Sequence, residues 1–112
     1  MGWWAHLTDD RGHTEGDWNY THNCAVMAWV ALDTAGQPVP EGESWWMKLS
    51  GLPGPEGAAY LHTIVRELET DPDRYRAMNP SNGWGDYDSF LATLVDMRNA
   101  VPEWPTTWHA SG

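Results

Sequence analysis

The chain is poor in the residues that ordinarily build a soluble core. Leu, Ile, Val and Phe together number sixteen of 112, with a single Phe. That is under the ~20% which, combined with high net charge, usually marks a disordered chain. Cysteine occurs once, at Cys24, which excludes an internal disulfide and a thiolate-rich zinc site and makes a reducing cytoplasm the simplest compartment to expect. Cations are equally scarce: six Lys and Arg stand against sixteen Asp and Glu, a net charge of −10. Such a field opposes attraction to DNA, RNA or anionic lipid, so neither nucleic acid nor membrane is expected as a direct partner. The N-terminal residues reach Asp9, Asp10 and Arg11 too soon for a signal peptide or a spanning helix, and a soluble, cytoplasmic protein is expected.

Catalytic and metal-binding patterns are missing too. The five histidines, at 6, 13, 22, 62 and 109, include no i, i+4 pair that would set two imidazoles on one helix face for zinc. No G-x-S-x-G, P-loop or Rossmann glycine pattern occurs. Carboxylate pairs such as Asp9/Asp10 and Asp71/Asp73 lie in polar stretches and read as solvated surface. The expectation is a protein that is not an enzyme and carries no metal or other cofactor.

What the chain does have is tryptophan, nine residues at positions 3, 4, 18, 29, 45, 46, 84, 104 and 108. Indole burial must supply much of what leucine normally provides, and some rings are left to form a flat platform for a ligand or partner. The length suits one domain over residues 1–112, enough for one core and too short for two.

Local pattern predicts an α+β fold with about three main helices and a short two- or three-stranded sheet involving the termini. WWAHL at 3–7 reads as a strand, followed by a polar turn-forming run from Thr8 to Asp17. Apolar residues at 26, 27, 30 and 31 predict a helix from Asn23 to about Asp33, with Thr21 or Asn23 as N-cap. SWWMKL, between two Gly/Pro-rich stretches, reads as a short strand or an ordered loop. Pro55 suits a first helical turn, and Tyr60, Leu61, Ile64, Val65 and Leu68 then form one apolar stripe. Asp71-Pro72 ends or kinks that helix, and DRYRAM can add a further short helical turn. Asp86 caps a last helix to about Ala100, lined by Tyr87, Phe90, Leu91, Leu94 and Met97 or Arg98, and TTWHA is a terminal strand able to pair with WWAHL.

Two polar-aromatic stretches are the candidate ligand site. In the first, Trp18, Asn19, Tyr20, Thr21, His22 and Asn23 each pair a flat or compact body with a hydrogen-bonding tip, just before a helix N-terminus whose free N–H groups favour a phosphate or carboxylate. In the second, Asn79, Asn82, Trp84 and Tyr87 surround a turn in which Gly83 and Gly85 let the backbone pass close to a neighbour. Asn amides beside aromatic rings can read a purine edge and stack its face. Arg74 and Arg76 are the cations nearest in sequence for a pyrophosphate. The same residues would serve equally as helix caps and core, with Trp84 substantially buried as a tether for its loop.

Those stretches also carry a resemblance. The chain resembles a group of small, uncharacterised tailed-phage proteins with the pattern N-Y-T-x-N before a Met-containing helix. A second pattern, D-P-x-x-Y-x-A-[ML]-N-P-x-N-G-W-G-x-Y, precedes an amphipathic helix. Asn19, Tyr20, Thr21, Asn23 and Met27 match the first part; Asp71, Pro72, Tyr75, Ala77, Met78, Asn79, Pro80, Asn82, Gly83, Trp84, Gly85 and Tyr87 match the second. Residues 1–18 and the terminal WPTTWHAS lie outside it. The resemblance implies, at the level of that class, a protein that disables bacterial defence. One expected form sequesters a small nucleotide-derived immune signal in an aromatic, Asn-lined pocket. The other is an acidic inhibitor that covers a bacterial defence protein, as a nucleic-acid mimic or an anti-CRISPR protein does. A homo-oligomer is compatible with either.

Overall fold

The computed structural model describes residues 2–112. It is an α+β domain in which one sheet and a helical layer enclose a single core. The sheet holds β1 (Gly2–Asp9), β2 (Thr14–Thr21) and β3 (Thr106–Ser111) in the order β2-β1-β3, with both pairings antiparallel. The helices are α1 (Ala25–Thr34), α2 (Gly54–Thr70), the short α3 (Pro72–Arg76) and α4 (Tyr87–Asn99). The terminal strand does pair with WWAHL, with Leu7 opposite Trp108.

The polar run expected from Thr8 to Asp17 turns over a shorter span. The Asp9 carboxylate accepts from the N–H groups of Arg11 and His13 at 2.9 and 2.8 Å, and Gly12 takes φ +82°. The chain then returns at once as β2. Its residues alternate: Gly16, Trp18 and Tyr20 face the core, and Glu15, Asp17 and Asn19 face water. Gly16 is needed because a Cβ there would drive into the Trp18 ring.

Tryptophan forms the centre of the core, as its abundance predicted. Trp3, Trp45, Trp46 and Trp108 are buried, and Trp3 and Trp45 meet edge to face at 5.0 Å. Of the two readings of SWWMKL, strand or ordered loop, it is not a strand: Trp45–Lys48 form a 3₁₀ turn that inserts both indoles. The α2 stripe of Leu61, Ile64, Val65 and Leu68 is fully buried, and α4 contributes Tyr87, Phe90, Leu94 and Met97. On α1 the buried face is Met27, Ala28, Ala31 and Leu32, one position round from the predicted face, leaving Val26 and Trp29 exposed. Nearly every α1 position is apolar, so spacing there could not select a face.

The two edges of the sheet differ. Along β3, Gly51 N–H donates to the Trp108 carbonyl at 2.7 Å, Trp108 N–H to the Leu52 carbonyl at 2.9 Å, and Ala110 N–H to Ser50 Oγ at 3.1 Å. Along β2, among the described residues, the outer main-chain groups have no backbone partner beyond β1.

Candidate functional site

The two polar-aromatic stretches, some sixty residues apart, meet where β2 runs into the 3₁₀ turn His22–Cys24 and the loop 82–86 folds over it. Tyr20 is the junction. Its hydroxyl accepts from Asp86 N–H at 3.1 Å and lies 2.6 Å from Ser89 Oγ. Burial pushes the Tyr20 hydroxyl above the usual phenol range, so it is a neutral partner at any physiological pH. Gly85, at φ +89°, is required here: a Cβ would come within 2.7 Å of Thr21 Cγ2 and 2.9 Å of the Tyr20 hydroxyl.

The rest of the motif holds the loop from within. Asn82 Oδ1 accepts from Trp84 N–H at 2.9 Å, and Asn23 Nδ2 donates to the Trp84 carbonyl at 3.4 Å. Asn79 Oδ1 accepts from Tyr87 N–H at 2.8 Å, and the Asp86 carboxylate accepts from Ser89 N–H at 2.7 Å as the α4 N-cap. That last bond holds the Asp86 carboxyl below the ordinary carboxylate range. Tyr87 is buried, with its hydroxyl donating to the Leu68 carbonyl at 2.7 Å.

With its backbone so occupied, the loop turns the Trp84 ring outward. Trp84 is 69% exposed, which overturns the expectation of a buried tether. The tether is Tyr20 and the loop's own amide bonds; the indole is what they present. Two adjoining cavities meet at Thr21 and Trp84. One, of about 380 Å³, is lined by Thr21, His22, Asn23, Asn82 and Trp84. The other, of about 370 Å³, is lined by Gly2, Trp3, Trp4, Asn19, Tyr20, Thr21 and Trp84. Asn19 spends no side-chain hydrogen bond within the described residues, and His22 stacks on Trp46 at 4.9 Å, nearly parallel.

Of the sequence-selected residues, then, Asn19, Tyr20, Thr21, His22, Asn23, Asn82 and Trp84 converge on one cleft. Trp18, Arg74, Arg76, Asn79 and Tyr87 do not line it. Trp18 packs inward, 5.6 Å from Trp108, with its indole N–H donating to Asp96 at 2.7 Å. Arg74 reaches Thr34 Oγ1 at 3.3 Å, and Arg76 pairs with Asp88 at 3.1 Å and covers the Tyr87 ring. Proximity in sequence misplaced both arginines, because α3 directs them away from the cleft wall. The residue overlooked was Trp4, 53% exposed at the cleft mouth. Strand alternation contained that signal: in Trp3-Trp4 one ring must face out.

Among the described residues the cleft wall contains no Lys or Arg, no group of His, Cys, Asp and Glu arranged to hold a metal ion, and no nucleophile paired with a base. Cys24, close beneath it, is buried, and burial raises its thiol. The geometry suits stacking and hydrogen bonding to an uncharged ring. No helix in the described residues is long and apolar enough to cross a membrane. The chain matches no protein-family model, no curated protein and no solved structure.

Proposed function

We propose that this chain is a non-enzymatic binding protein of phage type that sequesters a small nucleotide-derived immune signal, gripping its base and sugar in the Trp4/Trp84 cleft. One observation carries the reading: Trp84 is held by a hydrogen-bonded loop yet presented to solvent where two cavities adjoin, one lined with it by Trp4, Asn19 and Thr21 and the other by Thr21, Asn23 and Asn82. A loop that rigid loses little entropy when a flat ligand stacks on it. Asn amides supply both donors and acceptors to a base edge or ribose hydroxyls. With no cation in the wall, the phosphates of such a ligand point to solvent, and the uncharged portion sets affinity. The phage setting and the defence role come from the motif resemblance alone.

The test is a thermal-shift screen of the full chain against nucleosides, cyclic nucleotides and ADP-ribose derivatives. A ligand at ~100 times its dissociation constant adds about 2.7 kcal/mol of stability. Trp84→Ala and Asn19→Ala should abolish the shift while leaving the melting temperature of the free protein nearly unchanged. A screen without any shift, or a shift that both variants retain, would sink the proposal.

A further inference from the structure

The unequal treatment of the two sheet edges points to a second surface. The β3 edge is closed by residues 50–53, whereas β2, in regular register with β1 from Gly16 to Thr21, leaves alternate residues of that run with main-chain N–H and C=O groups directed away from β1. An open edge of this length is a template for another strand, and proteins usually blunt it with lysine, proline or a covering segment. β2 has no lysine or proline, and its one irregularity is a bulge at Glu15, opposite the Leu7/Thr8 step, beyond which the run from Gly16 to Thr21 keeps a regular register. The strand carries Glu15 and Asp17, which face water, and Trp18 on its core side is bonded to the exposed carboxylate of Asp96. No Lys or Arg lies within β2; Arg11, in the preceding turn, is the nearest in sequence. Beside the start of the strand, Trp104 is 54% exposed and held in place by its indole N–H, which donates to Glu15 at 3.0 Å.

We infer that the β2 edge, with Glu15, Asp17 and Trp104, docks an extended, Lys- or Arg-bearing segment of another protein by strand addition. Main-chain bonds to β2 supply sequence-independent affinity, as in other cases of β-augmentation. The carboxylates select a basic strand, and the Trp104 face accepts an aliphatic stem or a cation. Charge also chooses between occupants: an antiparallel β2–β2 pair centred on Gly16 would set Glu15 against Asp17, and the net charge of −10 repels a second copy in any register. Glu15, Asp17 and Trp104 do not line the cleft, but the far end of β2, Asn19–Thr21, does, so the two surfaces adjoin and the docking proposed here is read at the Glu15–Trp18 half of the strand.

The experiment titrates the full chain, isotopically labelled, with three blocked seven-residue peptides and follows backbone amide shifts and hydrogen exchange. One alternates lysine and valine, one replaces lysine by glutamate, and one keeps lysine but carries N-methyl groups on alternate amides. The lysine peptide should bind with Kd below about 1 mM, protect alternate amides of β2, and lose roughly tenfold in affinity at high salt. The glutamate and N-methylated peptides should not bind. The double variant Glu15→Lys/Asp17→Lys should lose the interaction with unchanged circular dichroism; should it fail to fold, the three peptides on the native chain decide alone. Equal binding of the N-methylated peptide would show charge attraction without strand pairing and overturn the inference. So would perturbations confined to surfaces other than β2, or no saturable binding.

Discussion

Replacing Gly57 by Ala sets helix propensity against packing. Gly57 lies in the first turns of α2, and propensity alone predicts that Ala stabilises by about 0.5–1 kcal/mol. The structure predicts the opposite sign. A Cβ at Gly57 would collide with Cδ1 and Nε1 of Trp108 and come within 3.0 Å of Leu49 Cδ1. Trp108 cannot yield cheaply: it is fully buried, its indole N–H donates to the Gly54 carbonyl at 3.2 Å, and its backbone is bonded to Leu52 and Gly51. Overpacking of this kind costs about 1–3 kcal/mol, and a ring with no free direction of movement belongs at the upper end. The net loss is about 2 kcal/mol, or roughly 8 °C in Tm for a domain of this size. Thermal and urea unfolding of Gly57→Ala should show it, and the penalty should shrink in a Trp108→Phe background, where the smaller ring leaves room. A more stable Gly57→Ala protein would refute the packing described for α2 against β3.

Trp84→Ala should change stability by no more than about 0.5 kcal/mol, as an exposed substitution does, while Phe90→Ala, fully buried between Tyr20 and Trp45, should cost about 3–5 kcal/mol; chemical denaturation of the pair checks the assignment of outer and inner aromatics. The Asp86 cap predicts a pH dependence. Its folded carboxyl is held below the ordinary range by Ser89 N–H, so the stabilisation is present above the unfolded value of about 3.9 and is lost as pH falls through the lower folded value. Asp86→Ala should therefore melt below the parent at pH 7, with the gap closing in acid; a gap that is constant with pH would remove the cap from the account. Cys24, buried and with its thiol raised, should react with a disulfide reagent only as fast as the native structure opens, and rapid labelling of the folded chain would contradict its placement.

Composition and local pattern were sufficient wherever neighbouring residues decide the outcome. The α2 stripe, the Asp86 cap of α4 and the two tryptophan-bearing terminal strands follow from spacing and capping chemistry that act within one or two turns. The shortage of Leu, Ile, Val and Phe likewise required indoles in the core, and Trp3, Trp45, Trp46 and Trp108 fill it. Which of the nine indoles would be left outside was settled by contacts distant in the chain. Trp84 faces water because Tyr20 holds Asp86 across sixty-six residues, so that the loop needs no aromatic anchor of its own. Arg74 and Arg76 stand beside the second motif in sequence but are turned away by α3 toward Thr34 and Asp88. On α1 an almost wholly apolar surface left its orientation to the partners it meets, and the side facing α2 was chosen by packing. Alternation can say that one of Trp3 and Trp4 points out; only the layer of helices beneath β1 decides which one, because burial is a property of what covers a face and not of the face itself.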